Sequence, residues 1–198
     1  MSKPPIELDM PDANVLFYEA FFSEEESQSY FKVLQEKIAW KQQELTMFGK
    51  QIMIPRLIAW YGDDGKNYSY SGIEHESLAW TDELLKIKVR VEAVAKIRFN
   101  SVLLNLYRDE NDSVGWHSDD ESELGQDPVI ASISFGEVRQ FQFKHRENDT
   151  LRQSIDLTSG SLLMMKGSTQ HNWKHRIPKT KTAKGARMNL TFRVIQNN

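Results

Sequence analysis

The segment Arg187-Met188-Asn189-Leu190-Thr191-Phe192-Arg193-Val194 alternates polar and apolar side chains without a break. An extended chain sends successive side chains to opposite faces. Met188, Leu190, Phe192 and Val194 therefore need a core, while Arg187, Asn189, Thr191 and Arg193 share the other side. That polar side is either open to water or lines a polar cavity. A water-facing strand usually mixes charge signs, whereas here two arginines flank an amide and a hydroxyl with no acid. Guanidinium binds carboxylate bidentately, so this face suits an anion with a carboxylate at each end. An ordinary amphipathic strand is the competing reading. Segment 101–107 repeats the device: Val102, Leu104 and Leu106 form one face, and Leu103, Asn105 and Tyr107 the other.

The rest of the chain reads as helices and hairpins followed by strands. Residues 1–14 are polar and proline-containing, an irregular arm. Ser23-Glu24-Glu25-Glu26 is a capping box, and Tyr30, Phe31, Leu34 and Ile38 follow at helical spacing. Residues 40–75 alternate apolar stretches with turn signals at Phe48-Gly49-Lys50, Tyr61-Gly62-Asp63-Asp64-Gly65 and Ser71-Gly72, and read as hairpins. A second helix is expected from about Thr81 to Lys96, carrying Leu84, Leu85, Ile87, Val91 and Val94. Strands are expected at 101–107, 114–118, 129–135, 138–145, 152–157, 161–166 and 187–195, a barrel or sandwich.

At 198 residues the chain is expected to form one domain, residues 1–198. No run approaches the roughly 18 apolar residues of a membrane span, and the first residues lack the apolar stretch of a signal peptide. Absence of cysteine excludes disulfides, thiolate metal sites and cysteine nucleophiles, and fits a cytoplasmic setting, or a nuclear one in a eukaryote. The net charge of −3 is unevenly spread. Residues 109–127 are acid-rich, while 174–187 holds Lys174, Arg176, Lys179, Lys181, Lys184 and Arg187 with no acid. The basic stretch reads either as a solvated loop or as a strip for phosphates.

His117-Ser118-Asp119 puts an imidazole and a carboxylate on one side of an extended segment. A further histidine would complete two histidines and one carboxylate, a set typical of non-haem iron(II) oxygenases. His171 and His175 both qualify by spacing. His75 and His145 read as solvated surface residues. There is no convincing Ser–His–Asp arrangement or glycine-rich phosphate loop.

Taken together, His117-Ser118-Asp119, Asn105-Leu106-Tyr107 and Arg187-Met188-Asn189-Leu190-Thr191-Phe192-Arg193 resemble the AlkB family of nucleic-acid dealkylating dioxygenases, collinearly over roughly residues 14–195. The resemblance implies an α+β, mainly β chain: a double-stranded β-helix (jelly roll) at about 100–195, buttressing N-terminal helices, and a hairpin nucleotide-recognition lid at about 40–76. It selects His175, followed by Arg176-Ile177-Pro178, as the third ligand to Fe(II). It implies 2-oxoglutarate and O2 as co-substrates. Arg187, helped by Tyr107 and Asn189, would take the distal carboxylate, with Arg193 and Asn105 near the carboxylate beside the keto group.

By the same resemblance, residues 47–72 look closest to the branch that repairs duplex DNA. Phe48 matches an aromatic finger that enters the helix, or else plugs its own hairpin. Arg56 matches a lid position, Tyr68 and Tyr70 match positions around the flipped base, and Glu121 matches one near its exocyclic amine or is a solvated turn residue. The implied activity is oxidative demethylation of 1-methyladenine- and 3-methylcytosine-type bases in alkylated, double-stranded DNA, by a monomer with no membrane or obligate protein partner. Demethylation of RNA or single strands, and non-catalytic lesion binding, are the alternatives.

Overall fold

The computed structural model describes the backbone of residues 3–47, 50–64, 68–70, 73–75 and 77–196, and the side chains of residues 3–44, 51–64 and 77–196. In chain order the elements are β1 (Ile6–Glu7), β2 (Asn14–Tyr18), α1 (Glu24–Lys37), β3 (Lys41–Met47), β4 (Lys50–Gly62), β5 (Tyr68–Tyr70), β6 (Ile73–His75) and α2 (Asp82–Ala95). There follow β7 (Ser101–Tyr107), β8 (Val114–His117), β9 (Ile130–Gly136), β10 (Arg139–His145), β11 (Arg152–Leu157), β12 (Ser161–Lys166), the short α3 (Thr169–Asn172), β13 (Trp173–Ile177) and β14 (Arg187–Arg193). Among the described residues no helix is long and apolar enough to cross a membrane.

Helix α1 starts where its capping box requires. Ser23 Oγ accepts from Glu26 N at 3.1 Å, and a Glu26 carboxylate oxygen accepts from Ser23 N at 2.9 Å, satisfying donors that a helix start leaves open. Thr81 caps α2, and Lys96 ends it in the left-handed region at φ 60°. Leu34 of α1 and Ile38 just past its end are buried with Leu84, Ile87 and Val91 of α2, as their spacing requires. Leu85, read as part of the same stripe, points outward and is 40% exposed.

Two sheets carry the fold. The large one has the order β1-β2-β12-β9-β14-β7-β4-β3, and the small one β11-β10-β13-β8. Both faces of the large sheet are covered. Val102, Leu104, Leu106, Ala131, Ile133, Phe135, Met188, Leu190 and Phe192 pack with the two helices. The alternate positions Leu103 and Tyr107 join Phe141, Phe143, Trp173 and Ile177 of the small sheet in a second core. The alternation in β14 thus separates a helix-facing core from a face enclosed between the sheets. Gly136 ends β9 at φ 89°, where a Cβ would lie 2.5 Å from Ala186 O; only glycine fits.

Three strands depart from expectation. The N-terminal arm contains β1, which pairs with β2. Neither β2 nor β13 stands out in the sequence. In β2 the run Val15-Leu16-Phe17-Tyr18 hides its alternation, because Val15 and Phe17 enter one core while Leu16 and Tyr18 lean on the other. In β13 the density of positive charge masks an inward set of Trp173, His175 and Ile177. The basic stretch 174–187 is therefore strand at both ends, and the loop reading applies only between them. His145 is also not a surface residue: it is 8% exposed, edge-on to Trp173, and its Nδ1 accepts from Glu147 N and Asn148 N. The side chain of His75 lies outside the described residues.

Leu104 is fully buried between β7 and the helices. Leu104→Ala should cost about 2–5 kcal/mol in denaturant unfolding, against about 1 kcal/mol for Ser23→Ala at the α1 cap.

Candidate metal and co-substrate site

The small sheet brings the two histidines together by register. In the β13–β8 ladder His175 stands directly opposite His117, and their rings lie 4.3 Å apart between centroids. Asp119 follows just past the end of β8. One ligand atom from each of His117, Asp119 and His175 lies within 4.8 Å of the others, the only such group of three among the described residues. His171 is elsewhere, 3.2 Å from Asp127 and half exposed. Supporting contacts hold each side chain. His117 Nδ1 sits 2.9 Å from Gly115 O, which leaves Nε2 for a metal. Phe141 stacks on His175 at 5.1 Å and 21°. Asp119 N donates to Gln170 Oε1 at 3.0 Å.

Arg193 Nη2 lies 2.8 Å from Asp119 Oδ1, both side chains being almost fully buried. That oxygen nevertheless accepts no well-aligned hydrogen bond. Burial alone would raise the Asp119 carboxyl, but Arg193 and the two histidines outweigh it and hold it below the usual range. Burial lowers His117, and lowers His175 to about 3, with His117 adding to the shift. Two neutral imidazoles and one carboxylate with a free lone pair fit a divalent cation such as Fe(II).

A polar strip on the large sheet faces this set. Cross-strand register pairs Arg187 with Tyr107, Asn189 with Asn105 and Thr191 with Leu103, so the expected residues share one wall. The pocket between the sheets is lined by Asn105, Tyr107, Arg187, Asn189, Thr191 and Arg193 along with the three ligands. Arg187 is 1% exposed, lies against Tyr107 and donates from Nη2 to Ser134 Oγ at 2.8 Å, while its Nε and Nη1 make no well-aligned hydrogen bond. Burial lowers its pKa to about 10, so it remains a cation at neutral pH. A buried guanidinium with two open donors fits a carboxylate, the fit expected for one end of 2-oxoglutarate. Asn189 is held within the sheet, its amide donating to Ser132 Oγ and Ile133 O.

Arg56, expected in the lid, is also brought into this pocket. It is 5% exposed, and its Nε donates to Asn105 Oδ1 at 2.7 Å. Glu121 stands half-buried at the start of a 3-10 turn, Ser122–Leu124. Tyr68 and Tyr70 lie in β5, and their side chains, like all of Phe48, fall outside the described residues. Sequence reasoning passed over Ser132 and Ser134, although β9 alternates them with Ala131, Ile133 and Phe135. It also passed over Arg139, whose guanidinium donates to Asp109 O, Asp112 O and Pro178 O behind Tyr107. Arg146, Gln170 and Arg139 have no signature of their own in the sequence. Part of the acid-rich stretch is matched within the fold: Asp112 pairs with Arg108, Asp119 with Arg193 and Asp120 with Arg146, while Asp127 lies beside His171.

The depressed His175 makes the metal-free protein acid-sensitive. The unfolded chain takes up a proton near pH 6.5 that folded His175 refuses until about pH 3. Stability is therefore full above that window and falls through it as pH drops, by up to about 1.4 kcal/mol per pH unit. Denaturant unfolding of the metal-free chain should show that slope, and His175→Gln should flatten it.

The geometry agrees with what the chain is similar to. The family described as "2OG-Fe(II) oxygenase superfamily" matches residues 14–193. "Alpha-ketoglutarate-dependent dioxygenase alkB homolog 3" of Bos taurus is 41% identical over 88% of this chain and 64% of its own length; the Homo sapiens protein of that name is 40% identical over 92% and 66%. The chain thus spans just under two thirds of these relatives. "DNA oxidative demethylase ALKBH2" of Mus musculus is 37% identical over 90% of this chain and 79% of its own length. The solved "structure of OsALKBH1" shares the fold, with a TM-score of 0.65 at 16% identity, covering 96% of this chain and 100% of that one. The chain belongs to the 2OG-Fe(II) oxygenase superfamily, among its AlkB homologues, with Fe(II), 2-oxoglutarate and O2 as the family's metal and co-substrates.

Proposed function

We propose that this chain is a direct-reversal DNA repair enzyme. It would demethylate bases of the 1-methyladenine and 3-methylcytosine type, coupling 2-oxoglutarate decarboxylation to succinate with release of formaldehyde. The observation that carries the reading is one pocket that holds His117, Asp119 and His175 against Arg187 with its two open donors. O2, activated at Fe(II) with 2-oxoglutarate as the co-reductant, would supply the oxidising power that a methyl group on a base nitrogen demands. In this reading His117, Asp119 and His175 hold the metal, and Arg193 keeps Asp119 anionic. Arg187 anchors the distal carboxylate, with Tyr107 and Asn189 shaping that end, while Arg193 and Asn105 lie toward the metal end. Leu103, Phe141, Met165 and Ile177 form the apolar walls that exclude water.

The target base would enter over His117, which keeps 28% of its side chain exposed. Arg56, Tyr68, Tyr70 and Glu121 are the proposed substrate contacts. Extruding a base costs a few kcal/mol, less when methylation has already broken its pair, and aromatic stacking of about 1–3 kcal/mol offsets that cost. Preference for duplex DNA rests on Phe48 in Met47-Phe48-Gly49-Lys50 as a finger.

Asp119→Ala should abolish formaldehyde release from methylated DNA; continued release would overturn the metal assignment. Arg187→Met should raise the KM for 2-oxoglutarate roughly 10- to 100-fold, the loss of a buried charged hydrogen bond. On matched substrates Phe48→Ala should lose activity mainly on double strands. Equal loss on single and double strands would remove the finger role.

A further inference from the structure

The outer face of the small sheet has no part in the site described above. Alternation that turns His117 and His175 inward turns Trp116, Lys174 and Arg176 outward. Register places Arg176 beside Gln142, Lys174 beside Lys144, and Lys144 beside Arg152. Two of these cations lie against the Trp116 indole, the Arg176 guanidinium 4.4 Å and Lys144 Nζ 5.0 Å from its ring centre. Trp116, Gln142, Arg152, Ser154 and Arg176 line one shallow groove.

Several cations elsewhere pair with acids: Arg108 with Asp112, Arg146 with Asp120, Lys184 with Glu137. Lys144, Arg152, Lys174 and Arg176 form no ion pair among the described residues. Asp156 is the acid of β11 on this face, and it stands opposite Gln140, beyond the cations. Four cations without an acid partner on one sheet face, two of them against an aromatic ring, in a chain of net charge −3, mark a local site for an anionic, stackable partner.

The face is also continuous with the mouth of the metal pocket. A second groove, lined by Ile52, Pro55, Arg56, Gly115, Trp116 and His117, runs beside β8. Trp116 belongs to both grooves, and β8 is the edge strand of its sheet. A polymer leaving the mouth over His117 therefore crosses a single strand edge to reach Trp116.

We infer that the outer face of the small sheet is a second DNA contact for single-stranded substrate, where Trp116, with Arg176 and Lys144 against it, stacks a base of the strand leaving the pocket. Arg152, Lys174 and Arg176 meet that strand's phosphates. An indole face accepts any base and guanidinium and ammonium groups accept any phosphate, so the contact adds affinity without sequence preference. The inference rests on the DNA-repair reading and extends it beyond the target nucleotide.

Length dependence separates this platform from the pocket. Labelled single-stranded oligothymidylates of about 4 and about 14 nucleotides, each with one central 1-methyladenine, are titrated against the full chain by fluorescence anisotropy. The longer one should bind at least about tenfold more tightly, with Trp116 emission quenched. Trp116→Ala should bring that ratio close to one and Trp116→Phe should largely restore it. Arg176→Gln, which leaves the indole in place, should lower the salt slope for the long oligonucleotide by about one. An unchanged length ratio in both Trp116→Ala and Arg176→Gln overturns the platform while the DNA reading stands. Equal competition by a polyglutamate peptide assigns the face to an acidic protein and overturns it as well. If neither oligonucleotide binds the wild-type chain, the DNA reading itself fails.

Discussion

The ion pair between Arg193 and Asp119 is the constraint around which the site is organised. Arg193 ends β14 in the large sheet, and Asp119 follows β8 in the small one, so the pair crosses the space between them. Neither charge reaches water, and neither would be tolerated there alone. Their pairing keeps the carboxylate ionised beside two histidines that burial keeps neutral. A metal-ready charge state is thus built into the fold. The deeper end of the same strip carries the complementary arrangement, with Arg187 a cation in search of a carboxylate.

Charge elsewhere follows a division of labour. The acid-rich stretch around the metal motif would repel a phosphate backbone if its carboxylates were free. Arg108, Arg146 and Arg193 meet three of them, Asp112, Asp120 and Asp119, and Arg139 ties the same loops through their carbonyls. Four cations without an acid partner share the outer face of the small sheet, two of them against Trp116. An acidic protein can in this way present a cationic surface where a polyanion would run.

Much of this was legible in the chain itself. Alternation in 187–194 separated a core face from a polar face, and the structure encloses that polar face in the pocket. The His117-Ser118-Asp119 spacing picked out two of the three side chains that the structure gathers within 4.8 Å. Other features were hidden for identifiable reasons. β2 and β13 escaped because one is apolar on both faces and the other is crowded with lysine and arginine. His145 looked solvated among charged neighbours, yet Trp173 covers it. Arg139 and Gln170 act through hydrogen bonds to residues far away in sequence, and no local pattern records such bonds.

The sequence by itself determined which residues could share a face, because side-chain period in a strand is a property of local geometry. That settled the polar wall from Arg187 to Arg193 and the apolar side that the helices cover. Only the tertiary structure decided which faces meet. The register of β13 against β8 sets His175 opposite His117, leaving His171 outside near Asp127. The approach of the two sheets buries Arg193 against Asp119 and leaves Trp116 on the outer face. Those outcomes depend on pairings between strands distant along the chain, which local geometry does not encode.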